Sequence, residues 1–206
     1  MNAIAWISIA PISTTVKEVY GVDNFQVNMV SLIFFILFLP SMLLATVVFD
    51  KFDLRTGLVV GAILQGIGAS LKYFINHGFW IVLVGQGFIG VAQPFFLDSP
   101  ALVATYWFED SMREISITFG TNFNTIGIAI GFILPTLFVN SDITADHDSI
   151  KAQVANSLLV QAIIAVVLMI LTIFSFQNKP KVPPSSNATV ERDDAMCKSY
   201  WKLITN

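Results

Sequence analysis

Little in this chain is suited to redox or metal chemistry. Its 206 residues include one cysteine, Cys197, and two histidines, His77 and His147. A single thiol closes no internal disulfide and builds no cysteine-rich zinc or iron–sulfur site, so Cys197 reads as a free cytosolic thiol. Charge is scarce as well: Asp, Glu, Lys and Arg make up 12% of the chain, where a soluble domain carries about 25%. With a net charge of −3 and only 11 scattered Lys and Arg residues, there is no basic stripe for a nucleic-acid backbone. Neither a G-x-S-x-G elbow nor an H-E-x-x-H helix occurs, so the familiar hydrolase and zinc-protease chemistries have no motif to stand on. No enzyme activity, metal or cofactor is expected. The amino terminus also lacks the positive region of a signal peptide.

What the chain has in abundance is apolar surface, 55% of its residues, with a mean hydropathy of +0.72. Its solvent is therefore lipid. A bilayer core of about 30 Å takes about 20 apolar helical residues to cross. Residues 25–49, 56–74, 79–107, 115–139 and 152–176 meet or nearly meet that length. A sixth stretch, 2–16, is apolar but short, reaching only about 22 Å at the helical rise, so the chain is expected to open inside helix 1. The reading is an all-α membrane protein of six transmembrane helices over residues 1–176. Residues 177–206 follow as a Pro- and Ser-rich cytoplasmic linker that closes on an amphipathic run around Tyr200, Trp201, Leu203 and Ile204.

Orientation comes from the cations in the connections. One side would hold Lys51, Arg55, Arg113 and the five Lys and Arg residues of the tail, and the other Lys17, Lys72 and Lys151. That bias places both termini in the cytoplasm and leaves the sequon at Asn187 unused. The spans also divide into two triplets with prolines at matching places: Pro11 in helix 1 and Pro94 in helix 4, Pro40 in helix 2 and Pro135 in helix 5. Interrupted helices in corresponding positions point to inverted repeats with a binding site near the bilayer midplane.

Two charged turns stand on the cytoplasmic side of this topology. The first, Asp50-Lys51-Phe52-Asp53-Leu54-Arg55-Thr56-Gly57, resembles the D-[RK]-x-G-[RK] loop of major facilitator proteins, with Asp53 where glycine is usual. The second is Phe108-Glu109-Asp110-Ser111-Met112-Arg113-Glu114. Charges at Asp50, Arg55, Glu109, Arg113 and Glu114 are candidates for a network that holds one conformation and breaks in another. Ordinary positive-inside punctuation is the plainer alternative.

A more specific likeness lies in the spans. Asn2-Ala3-Ile4-Ala5-Trp6 resembles the N-A-x-x-W of helix 1 in the feline leukaemia virus subgroup C receptor-related family. Tyr20-Gly21-Val22, Phe52-Asp53-Leu54-Arg55, Gly85-Gln86 and Val91-Ala92-Gln93 match further elements in order. Asn124-Thr125-Ile126-Gly127-Ile128-Ala129-Ile130-Gly131-Phe132 is similar to the family's N-Q-L-G-I-A-I-G-F. The resemblance implies half of a major facilitator fold, lacking its C-terminal six-helix half. It also implies carriage of a small organic cation such as choline or ethanolamine, with haem or another organic solute as alternative cargo. Carried over by motif, Trp6 and Gln93 become pocket residues. An indole face attracts a quaternary ammonium by cation–π interaction, and an amide can hydrogen-bond a hydroxyl. Counting from the helix ends places both near mid-bilayer. Asp98 departs from the family's glycine; it is a candidate coupling group or a hydrated structural one. A competing reading, of another class, is a truncated, receptor-like membrane protein that transports nothing.

Overall fold

The computed structural model describes residues 1–139, 146–178 and 180, and among these every regular element is helical. Five helices are long and apolar enough to cross a membrane: Asn24–Lys51, Leu54–His77, Phe79–Trp107, Asp110–Phe138 and His147–Ser175. They coincide with the five full spans expected. Most of the tail 177–206, including Cys197, Asn187 and the amphipathic run, lies outside the described residues.

Helix 1 is built in two pieces. α1 (Asn2–Ile7) passes through a 3-10 turn (Ala10–Ile12) into α2 (Ser13–Tyr20), so the helix runs four residues past its expected end at 16. Pro11 makes the break, because it brings no N–H to continue the helical ladder. Gly21, at φ +63°, closes α2 in the left-handed conformation that glycine adopts without strain. Asp23 then caps α3 (Asn24–Lys51), accepting from Gln26 N at 2.8 Å while Gln26 Oε1 accepts from Asp23 N at 3.0 Å. This reciprocal pair satisfies two donors at the helix start.

Helix 3 is α4 (Leu54–Tyr73), extended by a 3-10 turn over Phe74–His77. Helix 4, like helix 1, comes in two pieces: α5 (Phe79–Leu97) and α6 (Ser99–Trp107) join at Asp98. The joint lies between two prolines, Pro94 in the last turn of α5 and Pro100 in the first turn of α6. Pro100 cannot donate to the carbonyl of Phe96, and the hydroxyl of Ser99 donates to it instead at 3.0 Å. In both broken helices the piece after the break is of similar length, eight residues in α2 and nine in α6. Helices 5 and 6 are α7 (Arg113–Phe138) and α8 (His147–Ser175).

The packing repeats the two-triplet pattern. α3 packs on α5, α1 on α7, and α4 on α8. Exchanging the triplets turns the first pair into the second and returns the third to itself, as two inverted three-helix repeats require. α4 and α5 approach most closely where Gly68 faces Gly85: a Cβ built on either glycine would stand 2.6 Å from the other's carbonyl oxygen. The main buried cluster joins Ile9, Val16 and Val19 of helix 1 to Val82, Val154 and Leu158 of helices 4 and 6.

Three lysines counted toward the outer side lie within helices. Lys17 lies within α2 and Lys151 within α8, which begins at His147 rather than near residue 152. Hydropathy counting ends a span at its last apolar residue, whereas helical hydrogen bonding runs on through polar ones. Asp148 favours the earlier start, since a carboxylate suits the first turn of a helix, and it pairs with Lys151 at 3.5 Å. Lys72 is the larger correction. It is 1% exposed, inside the bundle.

Candidate functional site

The break in helix 1 organises the polar interior. A helix leaves its last four carbonyls without intrahelical partners, and α1 ends at Ile7. The carbonyl of Ala5 accepts from Lys72 Nζ at 2.6 Å, and that of Trp6 accepts from Gln86 Nε2 at 3.0 Å. Lys72 also donates to Gln86 Oε1 at 3.0 Å and to Ser8 Oγ at 3.4 Å. One turn earlier, the Asn2 amide donates to Gln65 Oε1 at 2.7 Å and to the carbonyl of Ile89 at 3.0 Å. Asn2, Gln65, Lys72 and Gln86 are each at most 8% exposed. Together these bonds join helices 1, 3 and 4 through groups that lipid could not satisfy.

The half-buried Trp6 side chain leaves this polar cluster for an aromatic one. Its ring stacks on Phe34 of α3 with centroids 5.0 Å apart and planes 16° from parallel, and meets Phe35 edge-on at 5.6 Å. One indole face is thus covered by Phe34, and Phe35 takes up a further part of the ring's surroundings. The indole Nε1 is buried and holds no partner among the described residues.

Gln93 stands on the same helix as Gln86, two turns farther along α5, half-buried. The bonds Asn2 to Ile89 and Gln86 to Trp6 show that α1 and α5 run antiparallel. Trp6 is therefore level with Gln86, and Gln93 lies about 10 Å away along the axis at 1.5 Å per residue. Two long side chains with a small ligand between them can close such a gap. Asp98 sits at the joint of helix 4, partly exposed, its backbone N donating to the Pro94 carbonyl at 3.0 Å. A cavity of about 220 Å³ opens at the start of α1, between helices 3, 5 and 6, with the amides of Asn2, Gln65 and Asn124 in its wall. Neither Trp6 nor Gln93 lines it.

The charged turns gather at one end of the bundle. Arg55 donates through Nη2 to the carbonyl of Ile173 at 2.9 Å, and its backbone N donates to Asn178 Oδ1 at 3.4 Å, tying helix 3 to the end of helix 6. A small cavity there has Asp53, Leu54, Tyr106 and Asn178 in its wall. Arg113 pairs with Asp110 at 2.8 Å and donates to the Thr105 carbonyl at 3.3 Å. Asp50 has a partner of its own. Glu109 and Glu114 are both exposed at the start of helix 5.

Sequence reasoning did not assign Lys72 or Gln65 to the interior, and it treated Gln86 only as part of a motif. The available signal was a polar side chain within an apolar span. For Lys72 that signal was lost because the residue falls two positions before the last apolar residue of its span.

Comparison with known proteins completes the picture. The Major Facilitator Superfamily profile matches residues 1–205. The chain is 32% identical over 216 residues to the choline/ethanolamine transporter FLVCR1 of Felis catus, and 31% identical over 212 residues to the choline/ethanolamine transporter FLVCR2 of Homo sapiens. All of this chain is covered in both matches, but only 37% of the feline protein and 40% of the human one. The chain thus spans about two fifths of the length of these relatives. Among solved structures, the transporter FucP in its outward conformation matches the whole chain with 53% of its own length, at a TM-score of 0.68 and 16% identity. That likeness speaks to fold alone. With a family profile that runs almost end to end, and with two packed triplets of membrane-length helices, the chain belongs to the Major Facilitator Superfamily.

Proposed function

We propose that the chain forms the first six-helix half of a carrier that moves a small organic cation, choline or ethanolamine, by alternating access. The observation that carries the reading is the Trp6 indole, held half-buried at the break of helix 1 in an aromatic cluster with Phe34 and Phe35. A desolvated indole face attracts an alkylammonium by about 2 kcal/mol without a buried counter-charge. Gln93, two turns along the facing helix, supplies an amide for a hydroxyl or amine at the other end of the ligand. The similarity to choline/ethanolamine transporters agrees with this chemistry. Haem draws less support, since His77 and His147 both stand exposed at helix ends.

The partner in this reading is a second six-helix half. α3 and α7, the middle helices of the two triplets, are the least buried of the five spans, with Leu43 at 72% and Leu137 at 77% exposure. They give the half an apolar flank suited to another helix layer or to lipid. The end that carries the charged turns is the cytoplasmic one, and there Asp50, Arg55, Glu109, Arg113 and Glu114 form the network that closes the carrier. Asp98, at the joint of helix 4, is the candidate coupling group.

Uptake of labelled choline and ethanolamine by cells expressing the whole carrier tests the proposal. Saturable uptake, competed by unlabelled choline, is the expected result. Accumulation no greater than in untransfected cells, with the protein present at the membrane, would remove both cations as substrates.

A further inference from the structure

Lys72 takes no part in the cation site as just described, yet it is among the most buried large side chains of the chain. A cation within a membrane span is costly, and such residues are rare unless they do something. An ammonium has three N–H donors, and Lys72 meets three acceptors: the Ala5 carbonyl, Gln86 Oε1 and Ser8 Oγ. All three are neutral, and two belong to helix 1 at its break. An apolar side chain of similar length would fill the same space without burying a charge, so packing alone gives no reason for a lysine here.

The break supplies the reason. It frees the carbonyls of Ala5 and Trp6, which an unbroken helix would satisfy internally. Lys72 takes the first. Gln86, whose side-chain oxygen accepts from Lys72, turns its Nε2 to the second. The Gly68–Gly85 contact brings α4 and α5 close enough for this relay, since a Cβ on Gly85 would strike Lys72 Cγ at 2.8 Å. We infer that Lys72 and Gln86 are positioning residues that cap the broken end of α1 and thereby fix where the Trp6 indole stands against Phe34. The consequence for transport rests on Trp6 being a substrate contact; the positioning itself does not.

Fluorescence separates the two. The chain has 4 tryptophans, and replacing Trp80, Trp107 and Trp201 by Phe leaves Trp6 as the sole indole. In this background, purified in detergent, Lys72→Met and Gln86→Glu are compared with their parent. As a carboxylate paired with Lys72, Gln86→Glu keeps an acceptor for the ammonium and sets an oxygen in place of the donor to the Trp6 carbonyl, so it answers the question even if Lys72→Met does not fold. Both variants are expected to shift Trp6 emission to the red and to raise its quenching by acrylamide. Emission and quenching equal to the parent's in Gln86→Glu would overturn the inference. In the transporting carrier, Gln86→Glu should raise KM for choline about tenfold, the effect of losing one hydrogen bond of ordinary net strength, with kcat unchanged. A fall in kcat at constant KM would mark a merely structural role and contradict it. Should the parent carry no choline, the substrate proposal fails while the Trp6 spectrum still decides this one.

Discussion

At the scale of single residues, the site depends on where polar atoms go when no water is at hand. Gln93 differs from its neighbours in this respect: Gln86, Gln65 and Asn2 are buried and bonded within the bundle, and Gln93 is only half-buried. Gln93→Ala should therefore weaken choline by about tenfold, one net hydrogen bond. It should leave tetramethylammonium, which has no hydroxyl, nearly unchanged. Competition by each compound against labelled choline gives both numbers, and equal losses for the two would show that the amide does not read the hydroxyl. Residue types marked out Trp6 and Gln93 in advance only through family resemblance. Composition alone could not separate a pocket glutamine from one that braces helices, since the difference lies in what faces each amide. Lys72 was misplaced for a related reason. Its position near the end of an apolar span counts it toward the outer side until α5 is seen to lie over it.

At the scale of elements, the helices and their breaks were largely legible because lipid enforces a single rule: backbone groups are satisfied internally. Span lengths followed from hydropathy, but the paired prolines marked four helices and only two of them break: helices 1 and 4 are interrupted near Pro11 and Pro94, whereas α3 runs on through Pro40 and α7 through Pro135. The point of each break was less clear. In helix 4 it falls at Asp98 between Pro94 and Pro100, and helix 1 runs past its apolar stretch to Gly21. Hydroxyls within the spans are satisfied by their own helix, as when Thr105 donates to Ala101 O at 2.9 Å and Thr172 to Leu168 O at 2.8 Å. The close contact of α4 with α5 yields a direct test. Gly85→Ala places a methyl group 2.6 Å from a backbone carbonyl, which cannot be relieved by rotating a side chain. The cost should be about 1–3 kcal/mol, as for other overpacked interiors, and should appear as a lower thermal midpoint in detergent. At the charged end, Arg113→Glu should impair uptake by turning the ion pair with Asp110 into a like-charge repulsion. If the network also reaches helix 2, Asp50→Arg added to it should restore part of the loss; a double variant that merely combines the single effects would show the two sites to be uncoupled.

For the molecule as a whole, the helices are arranged as one half of a major facilitator fold, with both termini proposed to lie on the cytoplasmic side. That topology leaves Asn187 unglycosylated, and a glycan on Asn187 in a eukaryotic membrane fraction would invert it. The helix order, the triplet packing and the family profile all describe half of a major facilitator fold, and rocking about a central site is the motion proposed for it. The central claim is that Trp6, braced at the break of helix 1, is a wall of that site. Its most direct test is initial-rate uptake of labelled choline by the whole carrier and its Trp6→Phe and Trp6→Ala variants, each normalised to protein at the membrane. The account predicts a graded loss, partial for phenylalanine, which keeps a weaker π face, and near-complete for alanine, which keeps none. Uptake by Trp6→Ala equal to that of the unmodified carrier would contradict it.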